Sequence, residues 1–452
     1  MRAHDRSRVV ALVWSGLLAA VLGCGGDGDG PPRPSATPTA GPTATPAATA
    51  TPSGGVVVAH GAVPALPAGI ASGAGRFLVA WSSIVGRAQP DVFGVRTDAN
   101  GNVADASPLQ LSDLGTAPFL DAATAEYQSP GIAYDGSTFG VFFAGSGSVA
   151  QFGAPGQVIA FSAVPPEGGP IVPATQLASQ ATVGMVASFL TPPIAAADGA
   201  GSLIGVFQNV LQGIQTPKLP SVLSDVVTVR DGSVSAQPLV TLLDARPPFQ
   251  DVIPTGSAPG AAGNGEVVLA AWIQTATVIA TQQSTATVSG AVLSSGGDPT
   301  PVTIGSARTG AAGVAVASDG SDFLVAWTLP VADGGDLVEV RAARYRVGTG
   351  TLDPDDGFLV AAGPGVKSLG GAAFHIDAYL VVWEENGVVR AARVGTGGTA
   401  AEPFTIDDGP AGTPAIACED ASCLTVFVRA AGGDAGDVVA RRLDARDDRL
   451  SR

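Results

Sequence analysis

The chain has 452 residues and a formal net charge of −16, yet charged side chains make up only 14% of it. A polyanion with no basic stripe is repelled by nucleic-acid phosphates, so nucleic acid is not expected as a partner. Glycine (61) and proline (35) are abundant; as the two poorest helix formers they argue against long helices and for short strands joined by tight turns.

The chain opens with Arg2, Arg6 and Arg8, followed by an apolar run over residues 9–22 that is broken only by Ser15 and Gly16. A membrane span needs about 20 apolar residues, so this run fits a signal-peptide core instead. It ends in Val21-Leu22-Gly23-Cys24, which resembles the lipobox of bacterial lipoproteins. The resemblance implies that residues 1–23 are removed and that Cys24 is acylated as the new N-terminus. The mature chain then carries a net charge of −18. Because Gly25 rather than Asp follows Cys24, the resemblance also implies the outer rather than the inner membrane. Residues 24–55 are rich in Pro, Thr and Ala and cannot pack a core, so they are expected to be a disordered tether. At about 3.1 Å per residue such a tether reaches up to roughly 90 Å from the bilayer.

The rest of the sequence, residues 56–452, keeps returning to one pattern. Phe323-Leu324-Val325-Ala326-Trp327 recurs as Phe77-Leu78-Val79-Ala80-Trp81, and more loosely in copies that end at Phe143, Phe207, Trp272, Trp383 and Phe427. The spacings suit a four-stranded unit with variable loops. In the fifth copy the strands are expected at residues 313–317, 323–327, 337–344 and 358–361. Asp98-Ala99-Asn100-Gly101 marks a turn in the first copy and Glu385-Asn386-Gly387 a tight hairpin in the sixth, Asn-Gly being a strong hairpin signal. The repeated strand is apolar on both sides, as a strand buried between neighbouring sheets should be. The seventh copy has no room for its fourth strand, whereas Val56-Val57-Val58 stands ahead of the first copy without a partner of its own. A ring in which this N-terminal strand completes the last unit removes both exposed edges. The expected fold is therefore all-β, a seven-bladed β-propeller closed by an N-terminal strand. Aligning the copies sets Cys418 and Cys423 opposite each other across the first hairpin of the last blade, and an exported location permits a disulfide there.

Leader, tether and repeats together resemble the seven-repeat propeller lipoproteins and secreted propellers abundant in myxobacteria and related bacteria. That resemblance specifies architecture and cell-envelope location, and says almost nothing about activity.

No catalytic, cofactor or metal site emerges from the residues. His60 and His375 lie far apart in sequence, and no His/Cys/Asp spacing suggests a metal centre. There is no GxSxG elbow and no phosphate-binding glycine loop. Asp135-Gly136, Asp198-Gly199 and Asp319-Gly320 read as turns. Asp353-Pro354-Asp355-Asp356-Gly357 lacks the later ligands of a calcium loop and reads as a solvated turn. The sialidase Asp-box pattern is missing, and Arg341, Arg344, Arg390 and Arg393 fall on expected third strands near the rim. Binding then leads by elimination. Loops between second and third strands share one face of a propeller, and here they differ greatly in length: residues 82–90, 144–156, 208–224 and 273–285 are long, while the sixth copy has only a tight turn. Variable loops on a rigid ring suit recognition. The expected role is a lipid-anchored monomer that touches the membrane through Cys24 and binds a protein or glycan, without a cofactor. The alternatives are an envelope-assembly scaffold and a glycan-active propeller enzyme.

Overall fold

The computed structural model describes residues 55–84, 90–112, 126–149, 154–181, 186–213, 219–243, 252–256, 258–278, 281, 283–331, 337–420, 422–431 and 435–444. Cys24, the leader and all but the last residue of the expected tether lie outside the described residues. Among the described residues there is no helix, and every sheet is built from antiparallel pairs.

Each repeated segment forms the second strand of a unit: Arg76–Ser83, Phe139–Val149, Ser202–Gly213, Val268–Val278, Asp322–Pro330, Ala378–Glu385 and Ser422–Ala430. An inner strand pairs with it on one side and a third strand on the other. In the fifth unit these are Ala312–Ser318 and Leu337–Arg346, with Phe358–Pro364 outermost, close to the expected boundaries. The seven aromatics of the repeat are all buried, and the apolar clusters join residues of consecutive units rather than lying inside one sheet. This is why the repeated strand is apolar on both faces.

The inner strands lie side by side in chain order, and Ala415–Glu419 of the last unit returns to Gly69–Gly73 of the first. Their approach is too close for side chains. A Cβ placed on Gly69 would overlap the Pro130 carbonyl oxygen, one on Gly131 that of Pro193, and one on Gly370 that of Pro414. At Gly260 it would come within 2.6 Å of the Val314 oxygen. The units are thus blades of a β-propeller, packed so that glycine is required where one blade's inner strand meets the next.

The N-terminal strand Val56–Ala62 lies antiparallel to Gly436–Asp444 and forms the outer strand of the last blade, as expected. His60 Nδ1 and Asp437 Oδ1 stand 2.7 Å apart along this seam. Arginines on equivalent positions of the third strand add a second set of ties. Arg96 binds Asp105 nine residues on and donates to Pro165 O of the second blade at 3.0 Å. Arg344 repeats this with Asp353 and, in the sixth blade, Thr396 O at 2.6 Å. Arg442 of the last blade donates to Asn100 of the first. Cys418 and Cys423 are joined in a disulfide as register partners, and the Cys418 carbonyl accepts from Ser72 Oγ of the first blade at 2.7 Å.

Two outcomes test this construction. Gly370→Ala should lower stability by roughly 1–3 kcal/mol, since backbone must move to admit the methyl group. Gly296→Ala, where the new Cβ meets nothing within 4 Å, should stay within about 0.5 kcal/mol of the parent in urea unfolding. Deleting residues 54–60 should expose the last blade, so limited proteolysis should cut first within residues 413–444. First cuts confined to residues 60–110, with the last blade protected, would contradict closure by the N-terminal strand.

Candidate functional site

The sequence expectation is corrected on the face that carries the second-to-third-strand connections. The stretches 144–156, 208–224 and 273–285 are mainly strand, not loop. In the second, third and fourth blades the repeated strand runs six residues past its aromatic, to Val149, Gly213 and Val278. In the other blades it runs two or three. The ladders continue to Val149↔Ala154, Leu211↔Leu219 and Val278↔Gln283. Six residues at about 3.3 Å each give a projection of roughly 20 Å. The cause is legible in the fourth blade: Gln274-Thr275-Ala276-Thr277-Val278 alternates β-branched residues with Ala and Gln, a pattern that favours strand.

Two of these hairpins gain a third strand. Val186–Leu190 pairs with the distal half of the third blade's repeated strand, and Val252–Gly256 does the same in the fourth. Each is separated from its blade's inner strand by a break that faces the signature aromatic: Leu190↔Asn209 gives way to Ile194↔Val206 around Phe207, and Gly256↔Gln274 to Gly260↔Ala271 around Trp272. Other inner strands bulge at the same level, between Gln128 and Gly131 and between Leu369 and Gly371. Pro192, Pro193 and Pro259 stand in the breaks, where a missing N–H costs no ladder bond. Adjacent extensions pack against one another, with Ile159, Leu190, Phe207 and Leu223 sharing one apolar cluster.

The result is a wall over one arc of the ring. The described residues of its hairpins, 144–149, 154–156, 186–190, 208–213, 219–224, 252–256, 273–278, 281 and 283–289, include no charged side chain, and Lys218 lies outside the described residues. In the fourth blade Thr275, Thr277 and Ser284 are half-buried, while Gln283 and Thr285 are exposed. Thr277 Oγ1 and Ser284 Oγ stand 2.7 Å apart.

The low arc, over the sixth and seventh blades, is charged instead. There the second and third strands meet at Asn386-Gly387, both with positive φ as the tight turn requires. Lys367 is buried and bonds Glu385 at 2.8 Å and Gly363 O at 3.0 Å, with Arg390 3.3 Å from the same carboxylate. Asp407 is buried between Arg429 and Arg441, the latter at 2.8 Å. Burial by itself would push Asp407 up, but the bonds from Arg441 and the Gly409 N–H and the charges of Arg429 and Arg441 hold it below the usual carboxylate value.

The remaining candidates are structural. Asp135, Asp198 and Asp319 accept backbone N–H groups of their own turns at 2.7–3.0 Å, and Gly136, Gly199 and Gly320 supply positive φ. Asp353 is not a solvated turn residue but the buried anchor of Arg344. Arg341 and Arg393 sit on third strands and pair with Asp356 and Asp377. Buried His375 lies on the sixth inner strand. Among the described residues no group of His, Cys, Asp or Glu is disposed to hold a metal ion. The arginine ties were missed by sequence reasoning, although their signal, an Arg followed nine residues later by Asp, occurs at Arg96 and again at Arg344.

No protein family model and no curated protein sequence matches the chain. Among solved structures it is similar to an α-L-arabinanase of Penicillium chrysogenum, at 11% identity and a TM-score of 0.46 over 88% of this chain and 99% of that one. It is also similar to the propeller domain of a trilobed protease from Pyrococcus furiosus, at 10% identity and a TM-score of 0.44 over 84% and 98%. A Hadza microbial sialidase matches at 10% identity and a TM-score of 0.43 over 84% of this chain, which spans only 65% of that sialidase's own length. Likenesses this remote say nothing about activity, and the propeller assignment rests on the strand pairing described above.

Removing the Asp407 carboxylate leaves two arginines facing each other without a counter-charge. Asp407→Ala should therefore lose about 3 kcal/mol in denaturant unfolding. Because the folded carboxyl is held below its usual value, its contribution is present above about pH 4 and is lost as pH falls. Asp407→Asn should accordingly be less acid-sensitive than the parent, measured as the shift in melting temperature between pH 7 and pH 3.

Proposed function

We propose that the chain is a lipid-anchored protein of the bacterial cell envelope, resembling the propeller lipoproteins of myxobacteria, whose propeller is a binding module for an external protein or glycan. The observation that carries this reading is the wall of extended hairpins, uncharged in their described residues, over three adjacent blades of an otherwise regular ring. A ring whose blades differ little below and greatly above supplies a rigid base for a specialised face. The wall's neutral Thr, Ser and Gln side chains offer donors and acceptors without the desolvation cost of charges. The Pro-rich segment ahead of the propeller suits display away from the bilayer, and Cys24 would supply the anchor, in the outer membrane.

Two measurements test the two halves of the reading. Cys24→Ala should move the protein from membrane to soluble fractions; continued membrane partition would refute the anchor. For the binding face, residues 147–156 are replaced by Asn-Gly, closing the second blade's hairpin on the Ser146↔Gln157 pair and sparing buried Val158. Crosslinking in intact cells should then lose the partner of the parent protein, while the thermal unfolding of the ring changes by only a few degrees. Crosslinks to envelope-assembly machinery that survive the replacement would favour a scaffold. Turnover on a glycan panel would favour an enzyme.

A further inference from the structure

The third blade departs from its neighbours at one pair of positions. Where the repeated and third strands face each other in the blade core, the first, fourth, fifth and sixth blades pair Val79 with Val95, Ala270 with Ala291, Val325 with Ala343 and Val381 with Ala392. The second pairs Val141 with Ser162, and the seventh pairs Thr425 with Arg441, which is bonded to Asp407. The third blade pairs Gly205 with Asp225. Asp225 is 1% exposed. It lies between Leu223 and Val227 on its strand, and both of those pack toward the second blade. Phe142 of that blade covers Gly205 so closely that a Cβ there would be 2.5 Å from its ring. One buried carboxylate oxygen, Oδ1, has no hydrogen-bond partner.

Among the described residues no opposite charge stands nearby to compensate. The facing strands Phe139–Val149, Ala154–Val164 and Val172–Ala181 contain no titratable residue, and neither do Val186–Leu190, Ile194–Ala197 or Ser202–Gly213. Asp225's own strand adds only Arg230, at its exposed end. On the second blade's inner strand, Tyr127 and Tyr134 pack toward the first blade, and Glu126 sits half-buried at its start. An isolated ionised carboxylate in an apolar layer is costly, so such a group keeps its proton or admits water. Burial pushes Asp225 up to about 7, and the Val226 N–H offsets this only in part.

We propose that Asp225 is a proton-controlled element in the seam between the second and third blades. Protonated, it lets the blades pack dry; ionised, it draws water into the seam and loosens the base of the hairpin wall. The inference does not depend on what the wall binds.

The sign follows from linkage. A carboxyl raised in the closed seam favours the closed form in acid. Opening therefore becomes easier as pH rises from about 4, and levels off above about 7. Hydrogen exchange on the full chain, followed from pH 4.5 to 8.5 and corrected for intrinsic exchange, reads this directly. Peptides from 139–164 and 202–230 should show opening constants that rise by up to about tenfold per pH unit below 7. Peptides from 322–346 serve as the reference and should not. Asp225→Asn should make the seam as pH-independent as the reference; if that variant does not fold, Asp225→Ser takes its place. A wild-type seam that follows the reference overturns the proposal, as does a folded variant that keeps the pH response.

Discussion

Everything in this molecule depends on how closely the inner strands approach one another at the centre of the ring. Backbone meets backbone there, and Gly69, Gly131, Gly260 and Gly370 remove the side chains that would hold the blades apart. Once that spacing is fixed, each repeated strand is trapped between two sheets and must be apolar on both faces. The aromatic that ends it is buried against the adjoining blade, as Phe143, Trp327 and Trp383 show. The break in the inner strand opposite that aromatic belongs to the same geometry. A proline or glycine there bends the strand away at the point where the dry core ends and the outer face begins.

A ring made this way has to be closed, and closure uses several weak ties together. The N-terminal strand covers an edge that would otherwise recruit another chain, Arg442 reaches from the last blade to Asn100, and Ser72 binds the carbonyl of a disulfide-bonded cysteine. The arginine ties repeat at equivalent positions in the first, fifth and last blades, so closure between chain ends reuses a device that already joins consecutive blades.

The repeat was the most legible part of the sequence, because hydrophobic packing on two faces leaves a long apolar signature at Phe323-Leu324-Val325-Ala326-Trp327. The unpartnered Val56-Val57-Val58 and the cysteine pair at 418 and 423 were readable for a related reason: each is a local pattern whose partner can be found by counting along aligned copies. The outer face is less legible. Strand extension over 273–278 and 283–285 is set by alternating Thr and Ala rather than by an apolar run, a pattern that reads as polar loop. Taken singly, Arg344 reads as a rim residue and Asp353 as part of a solvated turn. Nothing in either residue type says that a salt bridge joins them; only the recurrence at Arg96 and Asp105 does.

The same contrast separates what the ring fixes from what it leaves free. Most positions that face a neighbouring blade carry small or apolar residues; Arg441 of the last blade departs from this but is bonded to Asp407, whereas Asp225 Oδ1 has no partner. Positions beyond the signature aromatic lie past the glycine-mediated contacts of the inner strands and are less constrained. Length, charge and strand number vary there from blade to blade: tall and neutral over the second to fourth blades, short and charged over the sixth and seventh. Asp225 lies beneath that wall. With no charge in the described residues of the wall, proton binding at Asp225 is the electrostatic variable inside the packed seam at its base, so the part of the ring most free to vary rests on an interface open to control.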